Sequence, residues 1–323
     1  MAFDNSQQDQ AQDGPFWETS GHTSAVIPKI DTSDCSSAFY NPAVVPLNPF
    51  TYIRPRHTAR GTFVLTGRLV VSGLNAAGEL GRLFIDVIRA LFKNPQRRDV
   101  IVTQLYHIGY LSLPVVIVSG MAIGLVMGVQ GYATLIKFNA EVMSGPLVNY
   151  ALVSQLAPIF TALMVAGRVG SNMAAEIGTM KVTEQLDALR VMGTDPVAYL
   201  VAPRFLACVL LLPILTAIAC LAGVISAKIL VVDIWGVDGG AYWHQTKNFM
   251  HSWDTFVGLS KTLVFGGIVC LVACRSGLMT TGGATGVGQA CTRGVVQGSI
   301  LSMVANFIMT LLFNKLWVLL HPV

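Results

Sequence analysis

The sequence predicts an all-α integral membrane protein: an N-terminal interfacial amphipathic (elbow) helix, then five transmembrane helices, with a short cytoplasmic helix between spans two and three. Three observations carry this. The chain of 323 residues is 53% hydrophobic and 12% charged, with a mean hydropathy of +0.60, against roughly 25% charged residues in soluble domains. Five stretches of about 20 apolar residues, long enough to cross a bilayer, occur near 108–130, 147–167, 205–227, 256–274 and 295–316. Between the second and third lies a polar segment, 178–196, in which Val182, Leu186, Leu189 and Met192 recur at helical spacing while Lys181, Glu184, Asp187 and Arg190 face away. It reads as one surface helix, with Gly193 at its C-terminal cap and Asp195-Pro196 opening the next helix. A membrane protein with such a helix at the water boundary has a handle for a soluble partner.

Taken in order, residues 1–60 are polar and rich in Ser, Asp, Gln and Pro, acidic in the first half and basic in the second. They lack the basic-then-apolar pattern of a signal peptide and read as a disordered cytoplasmic tail. Residues 61–98 form the interfacial element. Its segment 67–92 is interrupted by Arg68, Glu79, Arg82, Asp86 and Arg89, and each central charge costs about 2.5–3.5 kcal/mol on insertion. Leu80, Leu83, Phe84, Val87, Ile88 and Leu91 share one face, so a helix lying flat at the interface is expected instead of a sixth span. Residues 99–323 hold the five spans. Arg54, Arg56, Arg60, Lys93, Arg97 and Arg98 precede the first span, which predicts a cytoplasmic N-terminus. Arg168, Lys181, Arg190, Arg204, Arg275 and Arg293 then fall inside, Lys137 and Lys247 outside, and an odd number of spans puts the C-terminus outside.

Within the spans, Gly120, Gly124 and Gly128 repeat every fourth residue, and Ala162, Ala166 and Gly170, with Gly167 beside them, continue the theme. Small residues let backbones approach closely in lipid, either within one chain or along a seam between two copies. The stretch 282–288 is glycine-rich but lacks the Lys-Ser or Lys-Thr of a phosphate loop, so it is read as a flexible turn before the last span. His244, His251, Asp233, Asp238 and Asp254 crowd one loop at spacings that match no ligand pattern, and Cys270 and Cys274, one turn apart, have no His or carboxylate to join them. No metal, cofactor or nucleic acid is expected. Lys261, about one and a half turns into the fourth span, either snorkels to the headgroups or faces an inner cavity. No chain of Asp, Glu or His runs through the apolar stretches, as an ion-coupled carrier would need.

Longer motifs add to this reading. Ala166-Gly167-Arg168-Val169-Gly170, Ala174-Ala175-Glu176-Ile177-Gly178-Thr179-Met180-Lys181-Val182-Thr183-Glu184-Gln185-Leu186-Asp187-Ala188-Leu189, and Met192-Gly193-Thr194-Asp195-Pro196 through Tyr199-Leu200-Val201-Ala202-Pro203-Arg204 stand in the middle of the chain. Ser112-Leu113-Pro114, Gln130-Gly131-Tyr132, Gly283-Ala284-Thr285-Gly286-Val287-Gly288 and Thr292-Arg293 flank them. From about 67 to 313 the chain resembles the MlaE family, permease subunits of ABC-type phospholipid transporters that work with MCE-domain proteins.

The resemblance implies a homodimer in a cell inner membrane that is not itself an enzyme. ATP would be hydrolysed by a cytoplasmic, MlaF-like ABC ATPase, docked through Lys181, Glu184, Gln185, Asp187, Leu189 and Arg190, alongside an MlaD-like MCE-domain partner. The cargo would be phospholipid moved between membranes, as in maintenance of outer-membrane lipid asymmetry. The alternative is an ion-coupled carrier or intramembrane enzyme acting without an ATPase. Two departures stand out: Ser154-Gln155-Leu156-Ala157-Pro158 replaces the family's usual Arg-Glu-Leu-Gly-Pro, and Asn306-Phe307 replaces Asp-Tyr or Asp-Phe. Lys261 thereby meets neutral amides where the family offers acids, and Lys261, Gln155 and Asn306 become the expected lipid headgroup contacts.

Overall fold

A computed structural model describes residues 59–93 and 98–320. The polar tail up to residue 58, residues 94–97 and residues 321–323 lie outside the described residues. The main compact unit is Gly67–Val323. The helices are α1 (Ala59–Lys93), α2 (Arg98–Leu105), α3 (Leu113–Leu135), α4 (Ser144–Ala151), α5 (Ala157–Val165), α6 (Ser171–Val182), α7 (Gln185–Val191), α8 (Ala202–Lys228), α9 (Gly239–Phe249), α10 (Ser252–Leu278) and α11 (Gly283–Leu320).

Five helical stretches are long and apolar enough to cross a membrane: Val100–Phe138, Glu141–Val182, Val197–Ile234, Ser252–Leu278 and Gly283–Leu319. Each contains one expected span and extends past it. The apolar run marks only the part that lipid must cover, whereas the backbone stays helical into the polar flanks. Several stretches are joined by wide, π-helical turns, at Tyr106–Tyr110, Leu152–Leu156, Ala166–Gly170, Val197–Val201 and Ile229–Ile234. Such turns add a residue to the helix and are frequent at functional sites.

The first span packs most extensively on the third, and the fourth on the fifth and third. Glycine decides the first of these contacts. A Cβ on Gly124 would stand 2.1 Å from the Gly223 carbonyl oxygen and 2.4 Å from Ser226 Oγ, and one on Gly120 would stand 2.6 Å from the Ala219 oxygen. Ser226 Oγ donates to the Met121 carbonyl across the same seam, at 2.9 Å. Gly120, Gly124 and Gly128 are thus covered by α8 of their own chain, and close packing inside one copy accounts for them. Gly170 makes ordinary contact with Val269 and Ala273, while Gly167 has open space where a side chain would go.

The main core gathers Val87, Ile108, Val165, Ile177, Phe205, Leu212, Phe265 and Cys270, with Leu80, Leu83 and Leu91 packed against it. The expected apolar face of α1 is thus used to clamp the helix to the bundle through Val87, although Phe84 stays largely exposed and meets Phe205 edge-on at 6.0 Å. Glu79 on α1 accepts two hydrogen bonds from Arg275, at 3.0 and 2.5 Å.

Two sequence expectations are corrected. The segment 178–196 is two helices: α6 stops at Val182, and Glu184 adopts a left-handed backbone, φ 60°, whose carbonyl starts α7 by accepting from Asp187 and Ala188. Thr183 Oγ1 donates back to the Thr179 carbonyl at 2.9 Å, the local bonding that lets threonine end a helix. The expected stripe dissolves at the break: Leu186 is buried, but Val182 and Met192 are 40% and 70% exposed. The caps hold, with Gly193 left-handed at φ 74° and Asp195 Oδ1 accepting from the Val197 amide at 3.0 Å. The glycine-rich stretch is no long turn either. Only Gly282 and Gly283 have positive φ, and α11 starts at Gly283.

α9 closes the end of the bundle opposite α7. Asp238 caps it by accepting from the Gly240 and Ala241 amides. Tyr242 is fully buried; burial pushes its phenol above the ordinary range, opposed by the hydrogen bond that Asn149 Nδ2 donates to its oxygen.

Candidate functional site

The sequence-predicted residues fall at two ends of the bundle. At the α7 end, Asp187 pairs with Arg190 at 2.9 Å and more loosely with Lys181 at 3.9 Å. Glu184 and Gln185 stand exposed at the break, while Leu186 pins α7 to the body and Leu189 is half-buried. The cluster is a rigid short helix held by α6, with one acid and one amide presented outward.

Behind it lies a pair that sequence reasoning missed. Arg204, only 3% exposed, donates through Nη2 to Glu176 at 2.7 Å. Its Nε and Nη1 are buried without a partner among the described residues. The signal available was an arginine inside the third apolar helix, which cannot be left without a counter-charge. An open cleft of about 820 Å³ lies at this same end, lined by His107, Arg168, Asn172, Glu176 and Cys291 among others. It is the larger of the two clefts, and its one lining carboxylate, Glu176, is already engaged by Arg204.

At the opposite end Lys261 is 0% exposed, so it does not snorkel. Its Nζ donates to the Ser154 carbonyl at 3.1 Å, to Gln155 Oε1 at 3.0 Å and to Thr310 Oγ1 at 2.9 Å. The single Thr310 hydroxyl proton is shared between the Asn306 carbonyl, at 2.7 Å, and Gln155 Oε1, at 3.2 Å. The structure thus brings Gln155 to the lysine. It does not bring the Asn306 side chain there: its oxygen is buried with no partner among the described residues, and Thr310, one turn further along the helix, takes the position beside the lysine. The Ser154 carbonyl belongs to the wide turn Leu152–Leu156, which frees it for a donor from another helix. The result is a buried cation whose three donors all meet neutral oxygens.

Lys261 borders a small cleft of about 110 Å³, which Tyr150, Trp253, Asp254, Phe313 and Trp317 also line. The acids that crowded the loop have local work: Asp254 Oδ2 accepts from the His251 amide at 3.1 Å, and Asp233 pairs with Lys228 at 3.3 Å. No group of His, Cys, Asp and Glu suited to a metal occurs among the described residues. Cys270 and Cys274, with sulfurs 3.8 Å apart, are buried in the core.

A bundle of five apolar helical stretches, with a polar break at one end and a buried, neutrally held lysine at the other, defines a multi-pass membrane protein. Residues 101–312 match the family model for Permease MlaE. The chain is 37% identical over 230 residues to a probable ABC transporter permease of Synechocystis, covering 71% of this chain and 86% of the relative. It is 38% identical over 248 residues to the intermembrane phospholipid transport system permease protein MlaE of Haemophilus influenzae, covering 76% and 94%. It is also 34% identical over 210 residues to the chloroplastic protein Trigalactosyldiacylglycerol 1 of Arabidopsis thaliana, covering 65% and 60%. The chain belongs to the MlaE permease family.

Proposed function

We propose that this chain is the membrane-embedded permease of an ABC complex that moves phospholipid between membranes. Two copies form the transmembrane part, a cytoplasmic ATPase docks on the α7 end, and an MCE-domain protein receives or delivers lipid at the other. The tail and α7 lie on the cytoplasmic side, α1 lies at the interface, and the C-terminus is periplasmic. The chain hydrolyses nothing itself.

The observation that carries this reading is Lys261, a buried cation held by neutral oxygens at the edge of a cleft. A cation in low dielectric without a carboxylate is poised for an anion, and a lipid phosphate is the anion a membrane supplies. Gln155 and Thr310 hold the ammonium in place and can turn to share the phosphate oxygens. The exposed Glu184-Gln185 step, fixed to α6 on one side and to the third span through Asp195-Pro196 on the other, suits a contact that passes movement into both spans. Extracting a lipid exposes acyl chains at about 0.8 kcal/mol per CH2, which calls for an apolar cavity and an external energy source.

Native mass spectrometry of the complex, gently extracted from its own membrane, tests the reading. Two copies of this chain with two ATPase subunits, an MCE-domain assembly and retained phospholipid are expected. Lys261→Met should keep the subunits and lose the lipid. A lone chain, reproducibly free of ATPase and lipid, would return the carrier or enzyme alternative.

A further inference from the structure

The cleft at Lys261 carries more than a phosphate site. Asp254 and Lys261 both line it and stand seven residues apart on α10, two helical turns and therefore one face. Side chains on a helix lean toward its N-terminus, so Lys261 reaches along the cleft toward the end that Asp254 occupies. Asp254 uses Oδ2 to cap α10, while Oδ1 accepts no hydrogen bond among the described residues.

Around that carboxylate the aromatic rings converge. Trp253 lies 5.6 Å from Trp317, tilted by 37°, and 6.3 Å from Phe313, nearly perpendicular at 78°. Phe313 and Trp317 are half-buried, whereas Leu311, Leu312, Leu316 and Val318 on the same helix are exposed. The rings therefore turn into the cleft and away from the exposed side of the helix. Two indole rings set beside a carboxylate make a site for an ammonium group, through cation–π attraction and charge.

We propose that this cleft selects zwitterionic phospholipid headgroups, with the phosphate at Lys261 and the headgroup ammonium against Asp254, Trp253 and Trp317. The proposal deepens the phospholipid reading above and rests on it. The two charges of the headgroup meet two protein charges of opposite sign in matching order. An anionic lipid with a glycerol headgroup satisfies Lys261 but offers no ammonium to the carboxylate side of the cleft, and its net negative charge is opposed by Asp254.

The test uses the assembled complex reconstituted in vesicles of equal phosphatidylethanolamine and phosphatidylglycerol, re-extracted, with the retained lipids quantified by headgroup. The wild-type complex is expected to enrich phosphatidylethanolamine over the vesicle ratio. Asp254→Asn and Trp253→Leu should each reduce that enrichment, by roughly five-fold where the ammonium site is desolvated. Asp254→Glu and Trp253→Phe, which keep the charge and a ring, should retain it; because they also report on the helix cap and packing, they separate headgroup chemistry from folding. Wild-type retention at the vesicle ratio, or undiminished enrichment in both Asp254→Asn and Trp253→Leu, would overturn the proposal. Retention of no phospholipid at all by the wild-type complex would instead overturn the reading beneath it.

Discussion

Two buried cations mark the two ends of this bundle, and they are held in opposite ways. Arg204 at the α7 end is tied to Glu176 at 2.7 Å, a carboxylate that is itself 47% exposed and so reaches the water side of the pair. Lys261 at the other end has amide, hydroxyl and carbonyl oxygens around it and, among the described residues, no carboxylate on its Nζ. A charge with its counter-charge attached is a structural fastening, costly to break and of little use to a ligand. A charge with no counter-charge in hydrogen-bond contact keeps more of its long-range attraction, because neutral oxygens orient it without cancelling it. The α7 end is therefore fastened by an ion pair, and the Lys261 end leaves its charge open, as the proposed phosphate site requires.

The sharpest way to break this contrast is to remove the fixed counter-charge. Glu176→Gln leaves Arg204 buried and uncompensated and should cost about 2 kcal/mol, below the usual range for such a change because Glu176 is half-exposed; thermal unfolding of the purified complex measures it. In the same assay Lys261→Met should cost nothing or raise stability, since an apolar residue of similar length replaces a buried charge. A loss as large as that of Glu176→Gln would show the two cations to be equivalent.

Supplying the missing carboxylate sharpens the comparison from the other side. Gln155→Glu should fasten Lys261 much as Glu176 fastens Arg204 and lower retained phospholipid by about tenfold, as expected when a charge-assisted contact is pre-empted. Lipid extraction from the variant complex decides this, and unchanged retention would mean that Lys261 does not draw the phosphate. Smaller still, Thr310→Val removes one acceptor from Lys261 and should lower stability by about 1 kcal/mol, with Thr310→Ser restoring it in the same unfolding assay. The smallest change in stability belongs to Arg190→Ala, whose exposed pair with Asp187 is worth less than about 0.5 kcal/mol. Its unfolding curve should scarcely move while co-purification with the ATPase falls, a split that a purely structural role for α7 would not produce.

Much of this architecture is legible in the chain. The spans are visible because the bilayer demands long apolar runs, and their ends are not, because polar flanking residues are good helix formers that carry the backbone onward. The break at Glu184 is invisible for a related reason: glutamate favours helix, and nothing in its side chain announces a left-handed backbone. The regular spacing of Val182, Leu186, Leu189 and Met192 therefore suggested one helix where there are two. The glycines at 120, 124 and 128 announce a close approach but not its partner, which only the fold identifies as α8. At the Lys261 site, Gln155 was readable as a neutral stand-in for an acid. Thr310 was not, although its position one turn beyond Asn306 on the same helix face was available as a clue. Ser154 entered through its carbonyl, which no side-chain pattern can reveal.

The wide turn at Leu152–Leu156 has a mechanical consequence. It holds one residue more than an α-helical turn requires, so the second span carries slack at the very place where it touches Lys261. Taking up that slack would rotate everything beyond it by about 100°, one residue's share of a turn, and swing Gln155 off the ammonium. A similar reserve sits at Ala166–Gly170 in the same span, nearer α7. The span is thus a shaft with two loose couplings, able to turn at its middle while both ends stay clamped.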